Sequence, residues 1–312
     1  RQFNEHDVDL LMTLATQAGA AIENARLTAE LALFNQQLEQ MVQQRTEEVQ
    51  NAYRQLEQLD QAKSKFISVT SHELRTPITV IRGYSQILQS SSVIKADENL
   101  ANLVKGIISG TSRMYELVNS MLDLAKIDNQ SLQLTVGSVY LAVLIKEQVS
   151  VFEEGLKERN LTVTMSGLSS LPLIEADPDA LKKVFYHLIG NAIKYTPDGG
   201  KIMISGKILP AGEQLADEAV EVIVEDTGIG IDPTYLELIF TKFFQTGEVS
   251  LHSTSKTKFK GGGPGLGLTI ARGIIVAHGG KLWAESPGYD EKECPGSKFH
   301  VVLPVHYRPP ES

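Results

Sequence analysis

From about residue 27 to residue 66 the sequence is rich in Gln and Glu and almost free of turn residues. Leu31, Phe34, Leu38 and Met41 step by three, four and three, and Val49, Ala52, Leu56 and Leu59 repeat those steps. This spacing draws a narrow apolar seam along one helix, which suits a second helix better than a globular core. A helix this polar has nothing else against which to bury its stripe. Residues 27–62 are therefore expected to form a coiled coil, with a parallel homodimer as the simplest closed assembly. The two registers do not join cleanly. Leu38, Val42, Arg45 and Val49 insert an extra four-residue step, a stutter that locally unwinds a supercoil.

Residues 63–132 hold two further helical patterns. The first runs to about Gln89. The second contains Leu100, Leu103, Val104, Ile107, Ile108, Met114, Leu117, Val118, Met121 and Leu122. Polar residues around Ser90–Ser92 and Lys95–Asp97 separate them, and Asp97 is a fitting N-cap. Two antiparallel helices per chain, doubled by the coiled coil, give a dimeric four-helix bundle. Past Gly137 the pattern changes. Short β-rich runs at residues 161–165, 201–205, 220–224, 281–284 and 298–303 alternate with helical stretches at 142–159, 179–195 and 266–278. Residues 138–307 thus read as a mixed α/β domain.

Composition excludes several function classes. Of 312 residues, 42% are apolar and 21% charged, ordinary values for a globular chain. Lys and Arg number 29 against 38 Asp and Glu, a net charge of −9. Such a balance argues against nucleic-acid binding, which needs clustered cations. Cys294 is the single cysteine, so neither an intrachain disulfide nor a multi-cysteine zinc site is available. No apolar run approaches the roughly 18–20 residues that span a bilayer, and no signal peptide is expected from this sequence. The chain begins at Arg1 in the middle of a helical pattern and is read as a cytoplasmic piece of a longer protein, without membrane contact of its own.

Four short stretches carry chemistry. The first bundle helix contains Ser71-His72-Glu73-Leu74-Arg75-Thr76-Pro77. Pro77 removes one ladder hydrogen bond and is expected to kink the helix just after the His–Glu pair. The Glu73 carboxylate can bend back to the His72 Nδ1, leaving Nε2 unprotonated and nucleophilic. Asn191-Ala192-Ile193-Lys194-Tyr195 ends a helix; Asn offers a neutral oxygen suited to Mg²⁺ beside phosphates, Lys194 a charge and Tyr195 a flat ring. Asp226-Thr227-Gly228-Ile229-Gly230 follows a strand, where a carboxylate can accept from an adenine amino group and the glycines admit a close ring. Finally, Gly261-Gly262-Gly263-Pro264-Gly265-Leu266-Gly267-Leu268 leads into a helix whose first N–H groups can cradle an anion. It lacks the Gly-Lys-Ser/Thr of a Walker A loop and is not framed as a dinucleotide fingerprint. Singly, each of the last three reads as an ordinary turn or helix end.

Taken together, these motifs resemble a known family. SHELRTPITVIRGYSQIL closely resembles the HisKA-type phosphoacceptor box of sensor histidine kinases. The three later motifs, in this order, resemble the N, G1 and G2 boxes of the GHKL (Bergerat-type) ATP-binding fold, and Phe240, Phe243 and Phe244 match its F box. The resemblance spans about residues 60–306. It implies a multidomain chain: a long α-helical coiled coil and dimeric four-helix bundle followed by an α/β sandwich ATP-binding domain. It implies ATP and Mg²⁺ as cofactors, phosphorylation of His72, general-base help from Glu73, and a water-orienting role for Thr76 when the partner is dephosphorylated. Asn191 inherits the Mg²⁺ site and Asp226 the adenine. Lys194, Tyr195, Gly228, Gly230, Phe243, Leu266 and Leu268 inherit nucleotide contacts, and Gly263, Gly265 and Gly267 the hinge of a lid at about residues 246–260. The family's first N-box Asn is His187 here, a departure at a second Mg²⁺ or phosphate contact. The implied partner is the receiver domain of a response regulator. The wording FNEHDVDLLMTLATQAGAAIENARL resembles the last helix of a GAF sensor domain, giving residues 1–26 that role.

Two other readings use the same motifs: a GHKL ATPase without histidine transfer, and a dimeric scaffold that binds nucleotide without reacting. The His72–Pro77 box argues against the first, and intact Asn191, Asp226 and glycines against the second. The remaining histidines, His300 among them, show no partner pattern; His278 sits at a helix end where a cation would suit the dipole.

Overall fold

The structure, a computed structural model, describes residues 5–129, 131–211, 218–244, 259 and 265–307. The reading of a lid at 246–260 falls outside these residues apart from Phe259, and so does the hinge role of Gly263. The chain divides into two compact units, Arg1–Lys63 and Ser64–Ser312.

In the first unit the helix α1 (Glu5–Ser90) runs without a break through the stutter. Its apolar seam is uncovered among the described residues: Leu31, Phe34, Leu38, Met41, Val49 and Leu56 are all exposed. At the stutter, Leu38, Met41, Val42, Arg45, Thr46, Val49 and Gln50 line a shallow apolar groove of about 450 Å³.

In the second unit α1 continues through Pro77 to Ser90. Pro77 brings no N–H to the carbonyl four residues back, that of Glu73. The segment between the two bundle helices, expected as a polar separator, forms a short helix α2 (Ser92–Ala96). The helix α3 (Glu98–Asp128) follows, capped as its sequence predicts: Asp97 Oδ1 accepts from Asn99 N at 2.9 Å and Leu100 N at 3.1 Å. Ile78, Val104, Thr111 and Val118 are buried in the hairpin. Arg82 stacks its guanidinium over Tyr115 at 4.5 Å.

The α/β domain places one layer of helices on a five-stranded sheet. Its elements are β1 (Gly137–Val139), α4 (Leu141–Val151), α5 (Glu153–Glu158), β2 (Thr162–Ser166), β3 (Ile174–Ala176), α6 (Pro178–Tyr195), β4 (Lys201–Leu209), β5 (Ala219–Asp226), α7 (Gly267–Ala277), β6 (Lys281–Glu285) and β7 (Ser297–Pro304). The sheet order is β2-β4-β5-β7-β6; β2 pairs β4 in parallel and the other neighbours are antiparallel. Alternate residues of the central strands point one way: Ile202 and Ile204, then Val220, Val222 and Val224, then Phe299, Val301 and Leu303, all buried. They meet Leu144 and Ile145 of α4, Leu181, Phe185 and Leu188 of α6, and Ile270 and Ile274 of α7 in one core.

The helix expected over residues 142–159 is two helices. Phe152, with φ −102° and ψ 7°, breaks it. The break buries Phe152 and stacks it on Tyr186 of α6, ring centroids 5.0 Å apart. Helical periodicity carries no trace of that contact, since both halves keep their apolar spacing.

The end of α3 is seated on the α/β domain. Leu124 joins its core. Lys183 of α6 pairs with Asp123 at 2.6 Å, and Lys242 with Asp128 at 2.5 Å. Gly273 of α7 lies so close to Ile127 that an added Cβ would meet its Cγ2 at 2.5 Å.

Candidate active site

His72 stands on the surface of α1, its side chain 72% exposed. The Glu73 carboxylate is 3.7 Å from Nδ1, inside ion-pair distance and beyond a hydrogen bond, as expected for adjacent helical residues that diverge by about 100°. Thr76 is exposed one turn further on, on the face that carries His72. Around His72 a cleft of about 450 Å³ is lined by Arg75 from α1, by Asn119, Leu122, Asp123 and Lys126 from α3, and by Lys183 from α6. Arg75 Nη2 donates to Asn119 Oδ1 at 2.8 Å.

The second group of residues gathers at one end of α6. Asn191 is half-buried in its last turns. Lys194 Nζ lies over the Tyr195 ring at 4.6 Å. The carbonyls that end this helix are held by Arg159, which sequence reasoning missed. Its Nη1 donates to Ile193 O and its Nη2 to Thr196 O, both at 2.5 Å, while Nε donates to Asp198 Oδ1 at 2.7 Å. Arg159 thereby satisfies orphan carbonyls that a helix C-terminus otherwise leaves to water.

The helix end is tied to the loop after β5. Ile229 N donates to Tyr195 O at 3.1 Å. Gly228 makes that approach possible: a Cβ there would meet Tyr195 O at 2.5 Å and Asp226 Oδ1 at 2.6 Å. Asp226 is buried, with Oδ1 accepting from Gly228 N at 2.8 Å and Oδ2 from Ser297 Oγ at 2.5 Å. Burial pushes its carboxyl up to about 6, against the pull of the Ser297 and Gly228 hydrogen bonds. Ser297, the second residue missed, lies 71 positions away on β7, and no local motif marks it. Gly230 pairs across an isolated bridge with Tyr289.

The third group joins the segment after β5 to α7. Phe240 is buried edge-on against Phe299, and Phe244 tilts against Tyr235. Phe243 N donates to Gly265 O at 3.0 Å. Gly265 has φ +70°, and a Cβ there would meet Phe244 O at 2.6 Å, so glycine is required on both counts. Leu266 is fully buried as the N-cap residue of α7, and Gly267 and Leu268 follow in its first turn. Gly267 is explained by packing: a Cβ would meet His187 Nδ1 at 2.8 Å. His187 thus packs against the start of α7.

His278 differs from its expected role as a cation at a helix end. It is buried, donates from Nδ1 to Ile274 O at 2.8 Å and accepts at Nε2 from Asp177 N at 3.0 Å. Burial lowers its pKa, so it serves as a neutral strut beside Asp177, the N-cap of α6. His300, read as partnerless, is buried on the opposite sheet face, with Nδ1 2.8 Å from Glu221 Oε1 and its ring stacked on Trp283 at 4.8 Å.

Residues 62–130 match the His Kinase A (phospho-acceptor) domain family, and residues 176–307 the histidine kinase-, DNA gyrase B- and HSP90-like ATPase family. The chain has the domain pair of a protein-histidine kinase. Kinase relatives bear this out across most of its length. It is 31% identical over 250 residues to histidine kinase P4 of Formosa agariphila, covering 80% of this chain and 17% of that protein. It is 30% identical over 298 residues to the circadian input-output histidine kinase CikA of Synechococcus elongatus, covering 95% and 37%. With the sensor histidine kinase WalK of Bacillus subtilis the figures are 32% over 240 residues, 74% and 35%. The chain therefore spans less than two-fifths of the length of these relatives. In fold it is similar to full-length ShkA, solved in complex with AMPPNP, with a TM-score of 0.62 at 23% identity over 78% of this chain and 46% of that one. No helix among the described residues is long and apolar enough to cross a membrane.

Proposed function

We propose that this chain phosphorylates its own His72 from Mg-ATP and passes the phosphoryl group to an aspartate on a response-regulator receiver domain. The observation that carries the reading is the buried Asp226, both oxygens already held by Gly228 N and Ser297 Oγ, on a loop bonded to the end of the Asn191 helix. Each carboxylate oxygen keeps a lone pair for an adenine amino group. Gly228 leaves the space beside Asp226 Oδ1 open, since a Cβ there would meet that oxygen at 2.6 Å, and Gly230, Tyr195 and Lys194 are assigned to further nucleotide contacts. The Asn191 amide oxygen, engaged by no hydrogen bond among the described residues, suits one coordination position of Mg²⁺. When bound, Mg²⁺ neutralises charge on the phosphates. Phe243, Gly265, Leu266, Gly267 and Leu268 would border the phosphates at the N-terminus of α7.

At the acceptor, the His72 Nε2 lone pair attacks the γ-phosphorus. An N–P bond forms as the bond to the bridging oxygen of ADP breaks. Glu73, one rotamer change from Nδ1, holds and then accepts its proton. Little covalent help is needed beyond positioning. Thr76, on the His72 face, would orient water for dephosphorylating the regulator. Thr76→Ala is expected to leave autophosphorylation intact and to slow regulator dephosphorylation; equal dephosphorylation rates would contradict that role.

The uncovered seam of α1 in the first unit supports a homodimer, as do exposed Val80, Ile81, Ile87, Leu103 and Ile107 on the hairpin. A second copy supplies matching stripes for both, closing a coiled coil and a four-helix bundle. Residues 5–26 run straight into this helix, the continuity expected if a GAF-like sensor hands its signal to it.

The test is the fate of γ-label from Mg-ATP. Label retained on protein, with little free phosphate, supports a kinase; steady phosphate release without protein label supports an ATPase instead. Nucleotide binding should also depend on pH. Adenine recognition needs ionised Asp226, so affinity is expected to fall about tenfold per unit as pH drops below about 6, and Ser297→Ala should move the midpoint up. Folding stability takes the opposite sign from this group. Its raised pKa means the folded state holds the proton more tightly, so its destabilising effect is present above about pH 6 and is relieved on acidification. Calorimetric titration with an ATP analogue between pH 5 and 8 checks the first. A flat profile would remove Asp226 from adenine recognition.

A further inference from the structure

The cleft around His72 holds more positive charge than the transfer reaction has been given a use for. Arg75, Lys126 and Lys183 line it against a single lining carboxylate, Asp123. In a chain of net charge −9 such a surplus does not follow from composition. Two of the cations are fixed before any ligand arrives. Lys183 Nζ is held by both Asp123 oxygens, at 2.6 and 2.8 Å, and Arg75 by Asn119 Oδ1 at 2.8 Å. The Arg75 Nε is buried with no hydrogen-bond partner among the described residues, a donor left over where most are satisfied. Lys183 comes from the ATP-binding domain rather than the bundle, so one wall of the cleft exists only while that domain is seated on α3.

We propose that this cleft is a holding site for the phosphoryl group on His72, with Lys183 as the counter-charge that the ATP-binding domain contributes and Arg75 and Lys126 as its companions. The proposal rests on His72 being the phosphorylated residue. A phosphoryl group carries about two negative charges near neutral pH, a charge that the three lining cations, Arg75, Lys126 and Lys183, are placed to face. Lys183 and Asn191 lie eight positions apart on α6, about 12 Å along its axis. In-line attack needs reacting atoms about 3–3.5 Å apart. This seating therefore suits the product rather than the transfer. It also gives Lys183 a role separate from ATP binding: it senses whether His72 is charged, because a phosphoryl group competes with Asp123 for its ammonium.

The groups facing the phosphoryl position are Glu73 and Arg75 from α1, Asp123 and Lys126 from α3, and Lys183 from α6. A nearby cation favours the dianion and lowers the midpoint at which the phosphoryl dianion takes up a proton to become the monoanion. The experiment follows the ³¹P resonance of phosphohistidine against pH in the full chain, in Lys183→Met and in Lys183→Arg. All are loaded chemically with phosphoramidate, so no variant depends on its own catalysis, and the signal is assigned by its loss in His72→Gln. The parent is loaded from Mg-ATP in parallel. The midpoint in Lys183→Met is expected to rise by about half a unit or more, with Lys183→Arg near the parent. Equal midpoints in parent and Lys183→Met overturn the holding site while leaving the kinase reading intact. A parent that loads from phosphoramidate but never from Mg-ATP overturns the kinase reading, and the holding site with it.

Discussion

Arg159→Met is expected to destabilise the α/β domain by about 2–5 kcal/mol, because it leaves two buried carbonyl acceptors unsatisfied. Arg159 is only 7% exposed, and each of its three guanidinium nitrogens donates to one of Ile193 O, Thr196 O and Asp198 Oδ1. Methionine fills most of the volume and supplies no donor. The Asp198 side chain is 71% exposed and rehydrates at little cost. The Ile193 and Thr196 carbonyls do not, and a buried acceptor left unsatisfied costs about 1–3 kcal/mol. Arg159→Lys should recover little, because one ammonium cannot span three acceptors in the plane of a guanidinium. Trp283, the single tryptophan, sits on β6 and reports this domain alone. Urea unfolding followed by its emission should show the midpoint lowered by roughly 1–2 M at unchanged slope. Nucleotide affinity should fall with it, since the same carbonyl run fixes Tyr195 against Ile229. A midpoint within experimental error of the parent would mean those carbonyls reach water, and the account of how the Asn191 helix end is held would fail.

What the sequence disclosed, and what it hid, divides along the range of the interactions. The seam of α1, the Asp97 cap and the alternation in β4, β5 and β7 are local patterns, and they appear where their spacing puts them. The chemistry of His72 with Glu73 and of Asp226 with Gly228 is equally local, two or fewer positions apart. The residues missed act at a distance. Ser297 holds Asp226 from another strand, Arg159 reaches carbonyls 34 and 37 positions on, and Lys183 meets Asp123 across 60. Nothing in residue spacing records which buried carbonyl lacks a donor. The break at Phe152 has the same origin, because its cause is the ring of Tyr186. His278 illustrates the converse. The helix dipole favours a cation there, but burial and a donor from Asp177 N outweigh it and select the neutral ring.

The central claim is that His72, alone among the histidines, receives the phosphoryl group. His72→Gln should abolish labelling while leaving the fold unchanged, because His72 is 72% exposed and its loss removes no core contact. The most direct measurement incubates the full chain and His72→Gln with γ-labelled ATP and Mg²⁺, then challenges the protein-bound label with acid and with base. The account predicts acid-labile, base-stable label on the parent and none on the variant, with both binding ATP equally. Label of equal amount on His72→Gln, or none on a parent that still binds ATP, would contradict it.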